Sequence, residues 1–426
     1  MTAAIIFIGI VLFLGQVFSS LFEKTRLPDV LPLMLLGMIM GPVTGLVGPE
    51  DFGRAGEIFT TLALIVVLFQ SGIELKILSL RGAMGQGFLL TTITFSILTI
   101  VLAWVTKITL PIPSIYAWII GAILADNSTA IVMPLLDKLK IAEPTRAILF
   151  LEANLTGVYS IVIALALWGI ADTGGHLSAK KVGLEILQSF GIGVLLSVFA
   201  GFFWMRILNR VRYLENAVSL TFAFVLLVYG LSELSGGDGA IATLVFGAVV
   251  GNMRLIRRLW LKKLSFNVLT LNHGEKTFFE EVEFIFKTLF FVYMGMSMRI
   301  GQIHLVFLGL LFALIKLLVR TPCVNWCVSK SITRSDCSVI LAMCPNGLVS
   351  AVLAAMIAQR LPEGGDVLKD VIYSVILFSV IFSSLMSFRI EKGGLRWIGE
   401  SFFMRHKHDK EALALPAQAD TENPPA

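Results

Sequence analysis

The sequence predicts an all-α polytopic membrane protein with about 13 transmembrane helices. Three observations lead there. Of 426 residues, 56% are hydrophobic and only 15% charged, where soluble domains run roughly 45–50% apolar and about 25% charged. Phe occurs 31 times against 6 Tyr and 7 Trp, an aromatic choice with no polar end to keep wet. Apolar runs long enough to cross a bilayer also recur along the chain. Together these exclude a soluble enzyme, a disordered chain and a disulfide-rich secreted module.

The spans fall at about 3–22, 30–48, 57–75, 84–107, 113–136, 145–171, 183–208, 216–234, 238–252, 281–298, 302–328, 336–359 and 367–388. The first, in MTAAIIFIGIVLFLGQVF, has neither a basic n-region nor a small-residue cleavage site, so it reads as a span rather than a signal peptide. The ninth is short enough to be tilted or re-entrant. Basic residues test the count. With the N-terminus outside, the inner loops hold 24 Lys and Arg and the outer loops 7, with Lys287, Lys316 and Arg320 inside spans. This bias supports thirteen spans, N-terminus outside and C-terminus cytoplasmic, in the cell's inner membrane. The net charge of +5 follows from that enrichment and needs no nucleic-acid partner.

A transmembrane transporter domain is expected over 1–390, with a first repeat at about 1–172, a linker helix at about 183–208 and a second repeat at about 214–388. A short cytoplasmic tail occupies 391–426. Residues 254–280 mix basic side chains with Leu, Trp and Phe, as an amphipathic helix on the inner leaflet does. The four cysteines, Cys323, Cys327, Cys337 and Cys344, have no neighbouring His and read as small buried apolar residues. No cofactor is expected.

Ionisable residues at lipid depth are costly and point to function by default. Asp126, Glu152, Lys287, Lys316 and Arg320 are singled out on that ground, beside the uncharged Gln70, Asn127, Ser128, Thr129, Asn154, Thr156, Asn325 and Asn346. The fifth span contains ILADNSTAIVMP, four successive polar residues at mid-depth. A run of that kind survives only where it lines a cavity or packs on protein. The twelfth span has a matching break at AMCPNGLVS. Each break is in the fifth member of a set of six spans, and the second comes seven spans after the first. The halves therefore form an inverted repeat with interrupted helices 5 and 12, the pattern that marks a transporter binding site. Glu152 and Thr156 share a helix face. A Glu152–Arg320 pair settles two buried charges at once, whereas Lys316 is free to snorkel. Lys287 is assigned to compensation of helix dipoles.

At this point the residues resemble the monovalent cation:proton antiporter superfamily, the sodium/hydrogen exchanger family. RLPDVLPLMLLGMIMGPVTGLV is similar to its second span, LALIVVLFQSGIEL to the third, and GAILADNSTAIVMPLLDKLKIAEPTRAILFLEANLTGVYSIV to the fifth and sixth. FKTLFFVYMGMSM resembles the tenth, LLVRTP the eleventh and CPNGLVSAVLA the twelfth. The resemblance implies the sodium/proton antiporter fold, a homodimer, and a monovalent cation and a proton as substrates. Glu152, Lys287 and Arg320 carry over from the family, with a structural role for Glu152 and Arg320, whereas Asn346, assigned with Lys287 to dipole compensation, stands where many relatives have Arg. The departures are local. The sixth span usually carries an ion-binding Asp where this chain has Gly157, Gln70 replaces another common acid, and the fifth-span acid is displaced to Asp126.

Exchange requires one group that holds a proton or a cation, never both, and a half-buried carboxylate does so. With Glu152 taken by Arg320, Asp126 remains as the carboxylate for cation and proton, with Asn127, Ser128 and Thr156 as oxygen ligands and Gln70 nearby. Any metal there is a monovalent cation only, Na+ first, with K+ or Li+ as alternatives. Rival readings keep the fold without antiport: a uniporter or channel-like leak, a carrier of another small solute, or a non-transporting membrane sensor. An intramembrane aspartyl protease is suggested only by SGGDG around Asp238, where Ser235 stands in place of the required Gly.

Overall fold

A computed structural model of the chain describes residues 2–25, 28–48, 53–74, 84–137, 139, 141–172, 179–211, 217–253, 256, 273–299, 302–361, 365–392 and 402–403. The expected surface helix at 254–280 and the tail 391–426 lie mostly outside them.

The helices are α1 (Thr2–Thr25), α2 (Val30–Met38), α3 (Gly53–Glu74), α4 (Met84–Thr109), α5 (Ser114–Leu124), α6 (Thr129–Asp137), α7 (Glu143–Asp172) and α8 (Ala179–Val211). They continue as α9 (Ala217–Leu234), α10 (Gly239–Gly251), α11 (His273–Ser297), α12 (Ile303–Cys327), α13 (Arg334–Ala342), α14 (Leu348–Arg360) and α15 (Gly365–Glu391). With α5–α6 and α13–α14 each counted as one broken rod, thirteen rods stand among the described residues, six on either side of α8. Six are long and apolar enough to cross a bilayer by themselves, and most of the rest are shorter apolar helices. Exposed Phe13, Phe199, Leu234, Phe307 and Trp326 face outward, as lipid-facing side chains do.

Local sequence accounts for the irregular places. Pro42 cannot donate to the preceding turn, so α2 continues as a π-turn over Ile39–Val43. The Thr44 hydroxyl then donates to the carbonyls of Ile39 and Met40. α10 is short because it starts at a true cap: Asp238 accepts from the Ile241 amide at 2.9 Å. It is buried along most of its length against α3, α8 and α9. One boundary differs from expectation. The tenth rod begins at His273 rather than near 281, so Glu280 and Glu283, which line the vestibule described below, stand within one continuous helix.

Packing divides the rods into two groups. α2 and α3 pack on α11, and α3, α8 and α9 pack on α10. This scaffold is closed by glycines. A Cβ on Gly37 would overlap the Val292 carbonyl, and one on Gly295 would overlap that of Met34, so α2 and α11 touch backbone to backbone. In the second group α4, α5 and α7 pack together, α12 joins α4 to α15, and α14 lies against α15. The two breaks meet inside this core group. The groups touch mainly where α14 crosses α3.

Candidate functional site

The site is the crossing of the two interrupted rods. An odd number of membrane passages separates them, so they meet from opposite faces. Their extended segments are joined by one backbone hydrogen bond, from the Ser128 amide to the Pro345 carbonyl at 2.8 Å. Breaking a helix at mid-depth leaves carbonyls at one end and amides at the other without partners. The sequence supplies those partners from α12 and from the opposite break.

The C-terminal end of α5 is met by Asn346 and Lys316. Asn346 Nδ2 lies 3.1 Å from both the Leu124 and the Asp126 carbonyls and 3.5 Å from that of Ile123. Lys316 Nζ donates to the Asp126 carbonyl at 2.5 Å and to Asn346 Oδ1 at 2.8 Å. The C-terminal end of α13 is met by Arg320, whose Nε donates to the Ile340 carbonyl at 2.9 Å. The same guanidinium holds Glu152 in a bidentate pair at 2.5 and 2.7 Å, and both side chains are buried. Two cations one turn apart on α12 thus serve the negative ends of the two half-helices.

This arrangement corrects two expectations. Lys287 is not at the crossing; its Nζ is 2.8 Å from Asp29 Oδ2 at the start of α2. Lys316, expected to snorkel, is buried and occupies the place reserved for Lys287. The reason is the position of the crossing, which sits against α12 rather than α11.

Asp126, Asn127, Ser128 and Thr156 are brought together. The Asn127 amide donates to Thr156 Oγ1 at 3.1 Å, and Asn127 Nδ2 donates to Glu152 Oε1 at 3.3 Å. Asp126 Oδ2 lies 3.0 Å from Ser350 Oγ, which also lies 3.2 Å from the Ile123 carbonyl oxygen, so one hydroxyl proton serves two acceptors. The opposite oxygens are different. Asp126 Oδ1 and Asn127 Oδ1 are buried and accept no hydrogen bond among the described residues. Buried acceptors left this way are uncommon and call for a partner. Both residues line a cavity that Ser128, Gln70 and Gly157 also line. A Cβ on Gly157 would lie 3.7 Å from Asp126 Oδ1. The carboxylate therefore fills the space in front of the glycine.

Gln70 is one turn from Glu74 and donates to its Oε1 at 3.1 Å. Glu74 and Glu283 line both this cavity and a wider vestibule bounded by α3, α6 and α11. The vestibule is lined from the last residue of α3, Glu74, from the first half of α6 and from Glu280 to Lys287 of α11. Asp238 is accounted for as the α10 cap. Ser350 and Glu283 were not singled out from sequence. Ser350 had a signal, since it stands one turn after Asn346. Glu283 lay inside a span whose mixed composition hid it.

The oxygen set, one carboxylate, an amide oxygen and nearby hydroxyls without thiol or imidazole, suits a hard cation. Among the described residues no group of three or more His, Cys, Asp and Glu side chains is placed to hold a metal ion.

Comparison with known proteins follows the geometry. The family model for the transmembrane sodium/hydrogen exchanger matches residues 9–390. The K(+)/H(+) antiporter NhaP2 of Shewanella oneidensis is 26% identical over 233 residues, covering 52% of this chain and 40% of that protein. The chain thus spans less than half the length of that relative. The Na(+)/H(+) antiporter 1 of Methanocaldococcus jannaschii is 22% identical over 374 residues, covering 85% of each. Among solved structures, the sodium proton antiporter MjNhaP1 from the same organism at pH 8 superposes with a TM-score of 0.73 at 19% identity, covering 94% of this chain and 99% of that one. At that identity the likeness is one of fold.

Proposed function

This chain belongs to the sodium/hydrogen exchanger family, and from that premise we propose that it exchanges a monovalent cation for protons by alternating access. Na+ is the first candidate cation, with K+ and Li+ next. The observation that carries the reading is the buried, unpartnered Asp126 Oδ1, facing the place where a side chain at Gly157 would stand. The acid missing from α7 is supplied across the cavity by the α5–α6 break.

The chemistry follows from exclusion. A carboxylate that has bound a proton has little affinity left for a cation, and one that has bound a cation resists protonation. Asn127 and Ser128 add oxygens beside it, Thr156 holds the Asn127 backbone in place, and Gln70 stands across the cavity. Glu152 is unsuited to the role because Arg320 occupies both its oxygens. The core group then shifts against the scaffold so that Asp126 meets one side of the membrane or the other.

The same reading places a transporter domain over 1–390, with repeats at about 1–172 and 214–388 joined by the helix at about 183–208. It sets the N-terminus outside and the C-terminus in the cytoplasm of a cell with the domain in its inner membrane, supported by the 24-to-7 distribution of basic residues. It takes the working unit as a homodimer, on the family resemblance. It calls for no cofactor and no enzymatic step.

The test uses everted vesicles carrying a pH dye. Adding sodium, potassium or lithium salts to vesicles with the natural protein moves protons with at least one cation. Asp126→Asn abolishes that movement while the protein remains in the membrane. No response to any of the three in the natural protein defeats exchange; an unchanged response in the variant defeats the assignment of Asp126.

A further inference from the structure

Glu283 and Lys287 stand one turn apart on α11, the spacing and order at which Glu and Lys pair along a helix. They do not pair here. Lys287 turns to Asp29, 2.8 Å away, with both side chains largely buried. Glu283 makes no hydrogen bond and no ion pair among the described residues. Glu283 stands where the vestibule meets the inner cavity, since it lines both, with Glu74, Thr129 and Ala130. Deeper in that cavity lie Asp126 Oδ1 and Asn127 Oδ1, buried and without partners.

We propose that Glu283, kept free of Lys287 by Asp29, is a second cation-binding carboxylate, a waiting site between the vestibule and Asp126. The occupant is a monovalent cation that retains part of its water. An unpaired anion between low-dielectric walls raises the local cation concentration far more than one in open solvent. Glu74, one wall away on α3, adds to the same field. The two throat carboxylates belong to the scaffold, whereas Asp126 belongs to the core group. Cation is therefore handed from a fixed anion to a moving one, and the waiting site stays on its own side of the membrane when the core shifts. The inference rests on the exchange reading above and adds the position of a second binding group and the residue that maintains it.

The experiment measures sodium-driven proton movement in proteoliposomes at constant ionic strength, for the natural protein, Glu283→Gln, Asp29→Asn and the double variant. Glu283→Gln raises the half-saturating sodium concentration about three- to tenfold, with a smaller fall in maximal rate, because one nearby anion is lost. A purely structural role would lower the maximal rate and leave half-saturation in place. Asp29→Asn releases Lys287 to pair with Glu283 and raises half-saturation to a similar extent. The double variant is no worse than Glu283→Gln alone. Unchanged half-saturation in Glu283→Gln overturns the waiting site, and additive effects of the two substitutions overturn the role of Asp29. If Glu283→Gln fails to reach the membrane, an unchanged half-saturation in Asp29→Asn overturns the proposal by itself. No exchange by the natural protein overturns the underlying reading instead, a result distinct from all of these.

Discussion

The two broken rods solve the same problem in different ways. Each ends a half-helix at mid-depth, and each receives a cation from α12. At the α13 end, Arg320 is bound on its other side by Glu152 through two hydrogen bonds, so charge is balanced within the pair. At the α5 end, Lys316 meets a carbonyl and an amide oxygen, and the adjoining Asp126 keeps one carboxylate oxygen without a partner. One end is closed electrostatically and the other is left open. The fixed pair holds the crossing together, while the open one has a valence that a proton or a cation can fill.

The strongest way to break this comparison is at the closed end. Arg320→Ala strands the Glu152 carboxylate in the core, which costs about 3–5 kcal/mol. The expected result is a sharp loss of membrane yield and melting temperature, measured on detergent-solubilised protein. Glu152→Gln combined with Arg320→Met recovers most of both. If Arg320→Ala melts like the natural protein, the pair is not the anchor of the crossing.

At the open end the cost is smaller. Lys316→Met removes two hydrogen bonds and leaves the Asp126 carbonyl and Asn346 Oδ1 to find others, a loss of about 1–3 kcal/mol. Exchange falls further than stability does, because the cation beside Asp126 is gone. Equal damage from Lys316→Met and Arg320→Ala in parallel melting curves would erase the distinction between the ends.

A rescue sharpens it. With Asp126→Asn in place, adding Gly157→Asp puts a carboxylate back on the facing side of the same cavity. We expect vesicles with the double variant to regain part of the cation-driven proton movement that Asp126→Asn lacks. No recovery in a well-folded double variant means that the cavity does not accept the acid from α7. The smallest effect belongs to Gly157→Ala. Its Cβ meets Asp126 Oδ1 at ordinary contact distance, 3.7 Å, and Ala favours a helix over Gly by about 0.5–1 kcal/mol. A slight rise in melting temperature with exchange nearly intact is expected, and a large loss of exchange would show that the empty space itself is required.

Much of this was legible in the sequence, for reasons the residues make plain. ADNST and CPNG announce the breaks because four polar residues, or Pro-Asn-Gly, cannot continue an apolar helix unaided. Glu152 and Arg320 could be matched because each lacked another partner at its depth. The partners of Lys316 could not be read, since one is a backbone carbonyl, which every residue has, and the other is an uncharged amide oxygen on Asn346. Asp29 lies at a helix start, outside the charges weighed within spans, so Lys287 was given a role at a crossing it does not reach. Glu283 was hidden by neighbours that blurred the start of the tenth span, and only the cavity shows what its carboxylate faces.

The hydrogen bond from Ser128 to Pro345 has a consequence for how the protein is made. The donor enters the membrane with the first half of the chain, and its acceptor follows only when the twelfth rod is threaded. Until then the α5 carbonyls also lack Asn346 and Lys316, and unsatisfied peptide groups are expensive in lipid. The first half must wait with its gap turned to water or to neighbouring protein. The transport centre is thus among the last parts of the molecule to exist, and it appears in one step when the second half locks into the first.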